Sequence, residues 1–207
     1  MTYTSYDELL ASGQELIVLD AQAVRTSIEV VDQITPADLD RPTPCAEWTL
    51  RDLLEHNIGQ HYGFAAASRG ESDLAVWKPR PLGADPIAEY RASAAHVLTA
   101  FAESGVLERS FPVPEIMPDL VIPANLGISF HFVDYVVHSW DMAASLGVKL
   151  DFDEELLSAA LLIAQAVPGG EMRTQPGASF APIIESTGGS TLDQILALLG
   201  RSPDWKA

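Results

Sequence analysis

Apolar residues recur every three to four positions over most of the chain, which is the period of amphipathic helices. The strongest case is the segment 125–146, where apolar residues occupy nearly all sides and Gly147 marks the end. The pattern predicts helices over residues 15–34, 49–68, 85–104, 125–146 and 153–166, and a last one from 190 to about 199. It therefore indicates an all-α fold with four long helices and a smaller C-terminal part.

Helix boundaries are marked by capping residues. Thr49 is followed three positions later by Asp52, and Ser190 by Asp193, as in a capping box. Asp85 precedes a proline at the first helical position. These three signals predict where three of the helices begin.

Two stretches are rich in proline and are predicted to lack helix. Residues 36–44 contain three prolines and form an ordered connector, because proline fixes φ and disfavours helix before it. Residues 106–124 contain four prolines and alternating apolar residues, which indicates an extended excursion with a short strand or hairpin arm.

Charge and composition exclude several classes of partner. The 207 residues include 12 Lys and Arg against 29 Asp and Glu, a net charge of −17. Such a surface repels phosphate backbones and anionic lipids, so neither nucleic acid nor membrane is an expected partner. No apolar run reaches the roughly 20 residues that span a bilayer, and the N-terminus has no signal-peptide pattern. Cys45, the single cysteine, fits a reducing compartment, and the cytoplasm is the expected location.

A polar stripe interrupts the apolar helix 125–146. Its members are His131, Asp134, His138 and Asp141. At about 100° per residue, the first three fall within roughly 60° of one another and Asp141 joins the same edge. Because a buried carboxylate without a partner is costly, the stripe needs a compensating group.

A divalent metal ion is one such group. Asp134 and His138 are four positions apart, a spacing that lets two helical side chains reach one ion. His56, flanked by apolar residues on the predicted helix 49–68, is the best third ligand. Two imidazoles and one carboxylate would leave open positions on the ion, as in catalytic sites.

The same residues also fit a metal-free explanation, in which Asp134 and His138 form a hydrogen bond inside the bundle. His131 is either a further ligand or a hydrogen-bonded helix histidine. His61 points about 140° away from His56 and is expected in a cleft or at the surface. The residues alone leave these alternatives open.

Two other residues with reactive side chains are expected to have structural roles. His96 lies in an alanine-rich helix and is expected at the surface or in packing. Cys45 sits beside prolines with no histidine near it in the sequence, which favours a small packed residue over a nucleophile. The sequence contains no dinucleotide-binding, phosphate-loop, zincin or hydrolase-elbow motif.

Three segments carry a resemblance to a known family. They are TPCAEWTLRDLLEHNIGQHYGFAAASRG (43–70), VDYVVHSWDMAASLG (133–147) and FAPIIESTGGSTLDQILALLGRSPDW (180–205). The first two resemble the signatures of actinobacterial proteins related to mycothiol-dependent maleylpyruvate isomerase, in the DinB/YfiT-like superfamily. The third is similar to the ending of a subgroup described only as metal-binding. The resemblance therefore extends over nearly the full length.

The resemblance implies a DinB-like four-helix bundle over residues 1–150 with a small C-terminal α(+β) extension over 151–207, or one continuous domain. It implies one divalent ion, zinc first and nickel as the alternative, held by His56, Asp134 and His138. The isomerase has glutamate at the position of Asp134.

The resemblance also implies an activity. The metal would activate a low-molecular-weight thiol, mycothiol or a similar one, toward a small electrophile in a transferase or isomerase reaction. The isomerase has a catalytic arginine in its C-terminal region, for which Arg201 and Arg173 are the candidates. The other catalytic candidates are His61, His131 and Asp141, and the candidates for contacting the thiol are Gln60 and Trp140. Asp141 would orient a ligand imidazole or pin its helix to a neighbour.

Three hypotheses follow. The first is the metal- and thiol-dependent enzyme. The second is a non-catalytic metal sensor or interaction module, with a further protein ligand such as His131 closing the coordination sphere. The third is a metal-free bundle in which the stripe is an internal hydrogen-bond network. Either a monomer or a homodimer is expected.

Overall fold

In the computed structural model, which describes residues 3–45, 47–175, 178–185 and 188–207, the described chain forms seven α-helices and one two-stranded sheet. The helices are α1 (Tyr6–Ala11), α2 (Gly13–Val31), α3 (Leu50–Ala67), α4 (Pro86–Phe101), α5 (Ala124–Leu146), α6 (Glu154–Ala166) and α7 (Thr191–Leu198). The strands are β1 (Ser110–Pro112) and β2 (Val121–Pro123). The predicted all-α fold is confirmed.

The four long helices form the bundle. α2 packs on α5 and α3 packs on α4, while α2 also contacts α4 and α3 contacts α5. Their inner faces carry fully buried apolar side chains, such as Leu16, Leu53, Val97 and Val136. Within the bundle each long helix therefore has two neighbours, and residues on the inner faces of α3 and α5 come close together.

The predicted helix starts are confirmed at atomic detail. The Thr49 hydroxyl accepts a hydrogen bond from the Asp52 amide, and the Asp52 carboxylate accepts one from the Thr49 amide at 2.8 Å. Ser190 and Asp193 form the same capping box at α7. Gly147 ends α5 with a φ of 71°, a left-handed conformation that favours glycine.

The N-terminal helix prediction, 15–34, needs correction. α2 begins at Gly13 and ends at Val31, and a separate short helix, α1, precedes it. The amides of Gln33 and Ile34 bond back to the carbonyls of Val30 and Val31, which closes the helix in a turn before Pro36. Helix α4, predicted over residues 85–104, likewise ends earlier, at Phe101.

The proline-rich segment 106–124 forms the predicted hairpin arm. β1 and β2 pair antiparallel, with Phe111 opposite Ile122. Both of these side chains are buried. Both strands contact α5, and β1 also contacts α3, so the arm covers one part of the bundle.

Two glycines let a loop lie directly on α3. A Cβ at Gly59 would come within 2.7 Å of the Lys78 carbonyl oxygen, and one at Gly63 within 2.4 Å of the Trp77 ring. Since no larger residue fits at either position, the segment 74–78 packs tightly on the helix and Trp77 is buried. The next residue, Pro79, lies beside the start of α3.

The C-terminal part packs on the bundle. α6 contacts α7, α5 and α1. The predicted division at residue 150 stays a prediction. Within the described residues, no helix is long and apolar enough to span a bilayer.

Candidate functional site

Side chains from α3 and α5 converge at one place in the bundle. His56 comes from α3, and Asp134 and His138 come from α5; their ligand atoms lie within 4.8 Å of one another. His138 Nε2 is 3.3 Å from Asp134 Oδ1, and the rings of His56 and His138 are 5.3 Å apart. The three residues selected from the sequence are therefore neighbours in the fold.

The group is accessible from one side. Asp134 retains 21% of its side-chain exposure and His138 retains 6%, while His56 is half-buried. A cleft of about 400 Å³ opens beside His56. Its lining consists of Glu47, Trp48, Asp52, Glu55, His56 and Pro79.

The electrostatics of the three side chains differ. Burial, and secondarily the charge of His138, lowers the pKa of His56 to about 4, so the His56 ring is neutral at pH 7 and offers a lone pair. Burial opposes ionisation of Asp134, but attraction to His138 outweighs it and lowers the pKa of Asp134 to about 2. Burial likewise disfavours the charged form of His138, yet Asp134 holds the pKa of His138 well above its usual value.

A second set of side chains lies near the other ring nitrogen of His138, Nδ1. His138 Nδ1 lies 3.0 Å from Asp141 Oδ2 and donates to it, which directs Nε2 toward Asp134. Arg201 Nη2 donates to the same oxygen at 3.2 Å. Although burial raises it, the pKa of Asp141 is lowered by Arg201. Asp141 thus contacts both the His138 ring and Arg201, and the roles expected for Asp141 and Arg201 stay predictions.

Cys45 is also at this site, which the sequence interpretation missed. Its thiol donates to Asp141 Oδ2 at 3.1 Å and lies 4.0 Å from His138 Nδ1. Arg201 Nη2 is 3.5 Å from the sulfur. No histidine is near Cys45 in the sequence, and the fold brings His138 to it across 93 positions; the expectation that Cys45 is a packed residue rather than a nucleophile stays a prediction. Cys45, His138 and Asp141 also form a group of potential metal ligands. In this group the Arg201 guanidinium already donates to the Asp141 carboxylate.

His131 belongs to a different cluster. Its Nδ1 is 2.6 Å from Asp20 Oδ1 on α2, and both side chains are buried. His61 lies beside it, with ring centroids 5.8 Å apart, and stacks on Tyr135 at 4.3 Å. The expectation that His61 lies in a cleft or at the surface was wrong: it is fully buried and bonded to Ser93 at 2.9 Å.

The remaining candidates do not line the cleft beside His56. Gln60 is buried and donates to Glu115 at 2.7 Å, and Trp140 is half-buried on α5. Neither belongs to the described lining of the cleft. His96 is exposed, as predicted. Arg173 donates to backbone oxygens, including that of Pro168 at 2.7 Å, so it braces the C-terminal loops rather than the site.

The sequence does contain a signal for Asp20. It lies one helical turn from Leu16 and Val24, both fully buried, so an acid on that face needs a buried partner. The cleft residues Glu47 and Glu55 had no such signal. They look like ordinary surface acids until the fold places them beside His56.

Comparison with known families agrees with this architecture. The model of the family described as "Mycothiol maleylpyruvate isomerase N-terminal domain" matches residues 21–143, more than half of the chain. The protein belongs to this family. The resemblance noted in the sequence is thereby confirmed, and the matched span of the mycothiol maleylpyruvate isomerase family includes His56, Asp134 and His138.

Relatives and solved structures extend the match. Two uncharacterized Mycobacterium tuberculosis proteins, from different strains, are each 35% identical over 169 residues, covering 79% of this chain and 85% of theirs. The crystal structure of the mycothiol-dependent maleylpyruvate isomerase matches with a TM-score of 0.64 at 14% identity, over 98% of this chain and 94% of that one. Its histidine-to-alanine mutant matches at 0.65 and 13%. At such identity the likeness shows that the family's fold is shared.

Proposed function

We propose that this protein binds one divalent metal ion through His56, Asp134 and His138 and uses it to activate a low-molecular-weight thiol toward a small electrophile. The observation that carries the proposal is the convergence of these three ligand atoms, within 4.8 Å, beside a cleft that His56 lines. Mycothiol is the first thiol to consider, because relatives in the family are named for it. The reaction class is transferase or isomerase.

The donor set fits a divalent ion of the zinc or nickel type. Imidazole nitrogens and a carboxylate oxygen are ligands that both ions accept, and zinc is the first expectation. The His56 ring contacts the rings of Trp48 and His138 and is neutral at pH 7, so it offers a lone pair to a ligand. Asp141 holds the His138 ring with Nε2 toward the same point.

The ion and the side chains of the protein would have different roles in the reaction. A divalent ion with open positions lowers the pKa of a bound thiol and holds it as the thiolate. Asp141 and Arg201 keep His138 in one tautomer and one orientation. Trp48, whose ring lies 4.8 Å from that of His56, forms a wall of the cleft in which the thiol and its electrophile would meet.

The non-catalytic sensor has less support. It requires another protein ligand to close the coordination sphere, for which His131 was the candidate. His131 is instead bonded to Asp20 at 2.6 Å. The location in the cytoplasm, the state of monomer or homodimer, and the absence of a nucleic-acid partner stay predictions.

Elemental analysis tests the metal. Protein purified without a nickel column should hold about one divalent ion per chain, and His56→Ala should lose it, while His96→Ala, which removes an exposed histidine, should retain it. Equal metal content in His56→Ala and the unmodified protein would refute the ligand assignment.

A second assay tests the thiol. The metal-loaded protein should accelerate the reaction of a thiol such as mycothiol with a small electrophile, and removing the metal by chelation should abolish the acceleration. A metal-loaded protein inert toward every thiol would count against catalysis.

A further inference from the structure

Asp141 binds three donors through a single oxygen. His138 Nδ1 lies 3.0 Å from Asp141 Oδ2. The Cys45 thiol donates to the same oxygen from 3.1 Å, and Arg201 Nη2 does so from 3.2 Å. The Asp141 side chain is fully buried, and its other oxygen, Oδ1, has no hydrogen-bond partner among the described residues. Because one carboxylate oxygen offers about two lone pairs, the three donors share it and the position of each depends on the others.

The loop that carries Cys45 is held in shape by its own hydrogen bonds. The Thr43 hydroxyl donates to the carbonyl oxygen of Trp48 at 3.0 Å and accepts from the Cys45 amide at 3.2 Å. The Trp48 amide donates to the Cys45 carbonyl oxygen at 3.0 Å. Cys45 and Trp48 are thus tied to each other, so a shift of Cys45 would also move Trp48.

This loop contacts both histidines of the proposed ligand set. At one end, the Cys45 sulfur lies 4.0 Å from His138 Nδ1 and its S–H donates to Asp141, the carboxylate beside that nitrogen. At the other end, the Trp48 ring lies 4.8 Å from the His56 ring. Since His56 comes from α3 and His138 from α5, the loop connects two ligands that belong to different helices.

We infer that Cys45 is a positioning residue of the proposed metal site. By donating its S–H to Asp141 Oδ2, Cys45 fastens the loop to α5 and keeps His56 and His138 at the spacing that one ion requires. This inference rests on the proposed function and gives the cysteine a part in it. The part belongs to the hydrogen-bond donor, and neither the volume of the side chain nor a nucleophilic sulfur is needed for it.

Three substitutions at position 45 separate the donor from the volume of the side chain. Cys45→Ser keeps a donor, Cys45→Val removes the donor but fills the space, and Cys45→Ala removes both. The affinity for Zn²⁺ is measured by competition with a chromophoric chelator. The Val and Ala variants should each bind Zn²⁺ about tenfold more weakly, the lower end of the range for groups around a metal ligand, because Cys45 acts through Asp141. The Ser variant should stay within about twofold of the unmodified protein.

The spectrum of the Co²⁺-loaded protein provides a second readout, one that a general loss of stability would not move. The visible bands of the ion depend on the arrangement of its ligands, so Cys45→Val should shift them and Cys45→Ser should not. Ser129→Ala is the matched control. It removes a buried donor from α5 that bonds to Tyr6 at 3.0 Å, and it should leave both the affinity and the spectrum unchanged.

The outcomes distinguish this inference from the proposed function. A Cys45→Val variant that binds Zn²⁺ as tightly as the unmodified protein would overturn the positioning role and leave the proposed function intact. Equal weakening in Cys45→Ser and Cys45→Ala would do the same, because the donor would then make no difference. An unmodified protein that binds neither Zn²⁺ nor Co²⁺ would overturn the proposed function and the positioning role together.

Discussion

Helix α5 contributes the histidine of two aspartate–histidine pairs that differ in their surroundings. His138 lies 3.0 Å from Asp141 and also faces Asp134 and His56, next to the cleft. His131, two turns earlier, lies 2.6 Å from Asp20 and is sealed between α2 and α5 with no exposure. The contact distances of the two pairs are similar.

The two pairs differ in how accessible they are to solvent and to a ligand. The His138 pair keeps an imidazole nitrogen directed toward a carboxylate that is 21% exposed, and a second histidine connects it to the cleft. At the His131 pair, the neighbouring histidine, His61, is fully buried against Tyr135. A short Asp–His contact therefore does not by itself indicate a ligand site, and of the two pairs the His138 pair has a neighbouring histidine that lines a cleft. Substitutions at the two pairs can break or sharpen this contrast.

The largest expected effect is at the sealed pair. His131→Phe keeps most of the volume but leaves the Asp20 carboxyl buried without its partner, which should cost about 3–5 kcal/mol of unfolding free energy. Urea denaturation measures it. Replacing both residues, as Asp20→Leu/His131→Phe, should recover most of the loss, because no polar group is then left unpaired. A single variant as stable as the unmodified protein would show that the pair is not sealed.

The next effect concerns the accessible pair. Asp141→Asn removes the charged partner that orients His138 and should weaken metal binding about 10–100-fold, measured by competition with a chromophoric chelator. Asp20→Asn makes the same change at the sealed pair and should leave the metal affinity unchanged. If both variants lose affinity equally, the two clusters are coupled and the contrast fails.

A smaller effect is expected in the pH dependence of stability. Burial lowers the pKa of His61 well below its usual value of 6.5. The unfolded chain therefore takes up a proton that the folded protein does not, so the free energy of unfolding falls as the pH drops below about 6.5. His61→Phe, which preserves a ring against Tyr135, should reduce this slope by up to about 1.4 kcal/mol per pH unit. The control is His96→Phe, which changes an exposed histidine and should leave most of the slope. The free energy of unfolding of both variants is measured by denaturation at a series of pH values from 7.5 to 5.

The smallest expected effect concerns the N-terminus of α3, the helix that carries His56. Thr49→Ala removes the cap of α3 and should cost about 1 kcal/mol. Because fraying is confined to the first turns, amide exchange should accelerate near Leu50 but not near His61. Thr35→Ala removes an equivalent capping box from the three-residue turn Pro36–Asp38 and should cost less. Uniform acceleration along α3 would contradict local fraying.

Local signals in the sequence were sufficient for most of the elements. Capping boxes at Thr49 and Ser190 and the glycine at 147 predicted helix ends that the structure has. The errors occurred where tertiary contacts decide, as at α1, a helix of 6 residues that is too short to be stable alone. It contacts α2, α5 and α6, and this packing stabilises it.

The site was predictable in part, because three of its residues obey helical geometry. Asp134 and His138 share a face of α5, and His56 lies among the apolar residues of α3. Cys45 and Arg201 obey no such rule. They reach Asp141 from a loop and from the C-terminal end of the chain, across 96 and 60 positions of sequence.

The sequence by itself determined the helical period, the helix ends and the polar stripe on α5, because these depend on residues within one or two turns of each other. Only the tertiary structure decided which histidine faces a cleft and which is sealed. It also gathered Glu47, Glu55 and Trp48 around the opening. Access and electric field depend on distant segments that pack together, and one-dimensional spacing does not record that packing.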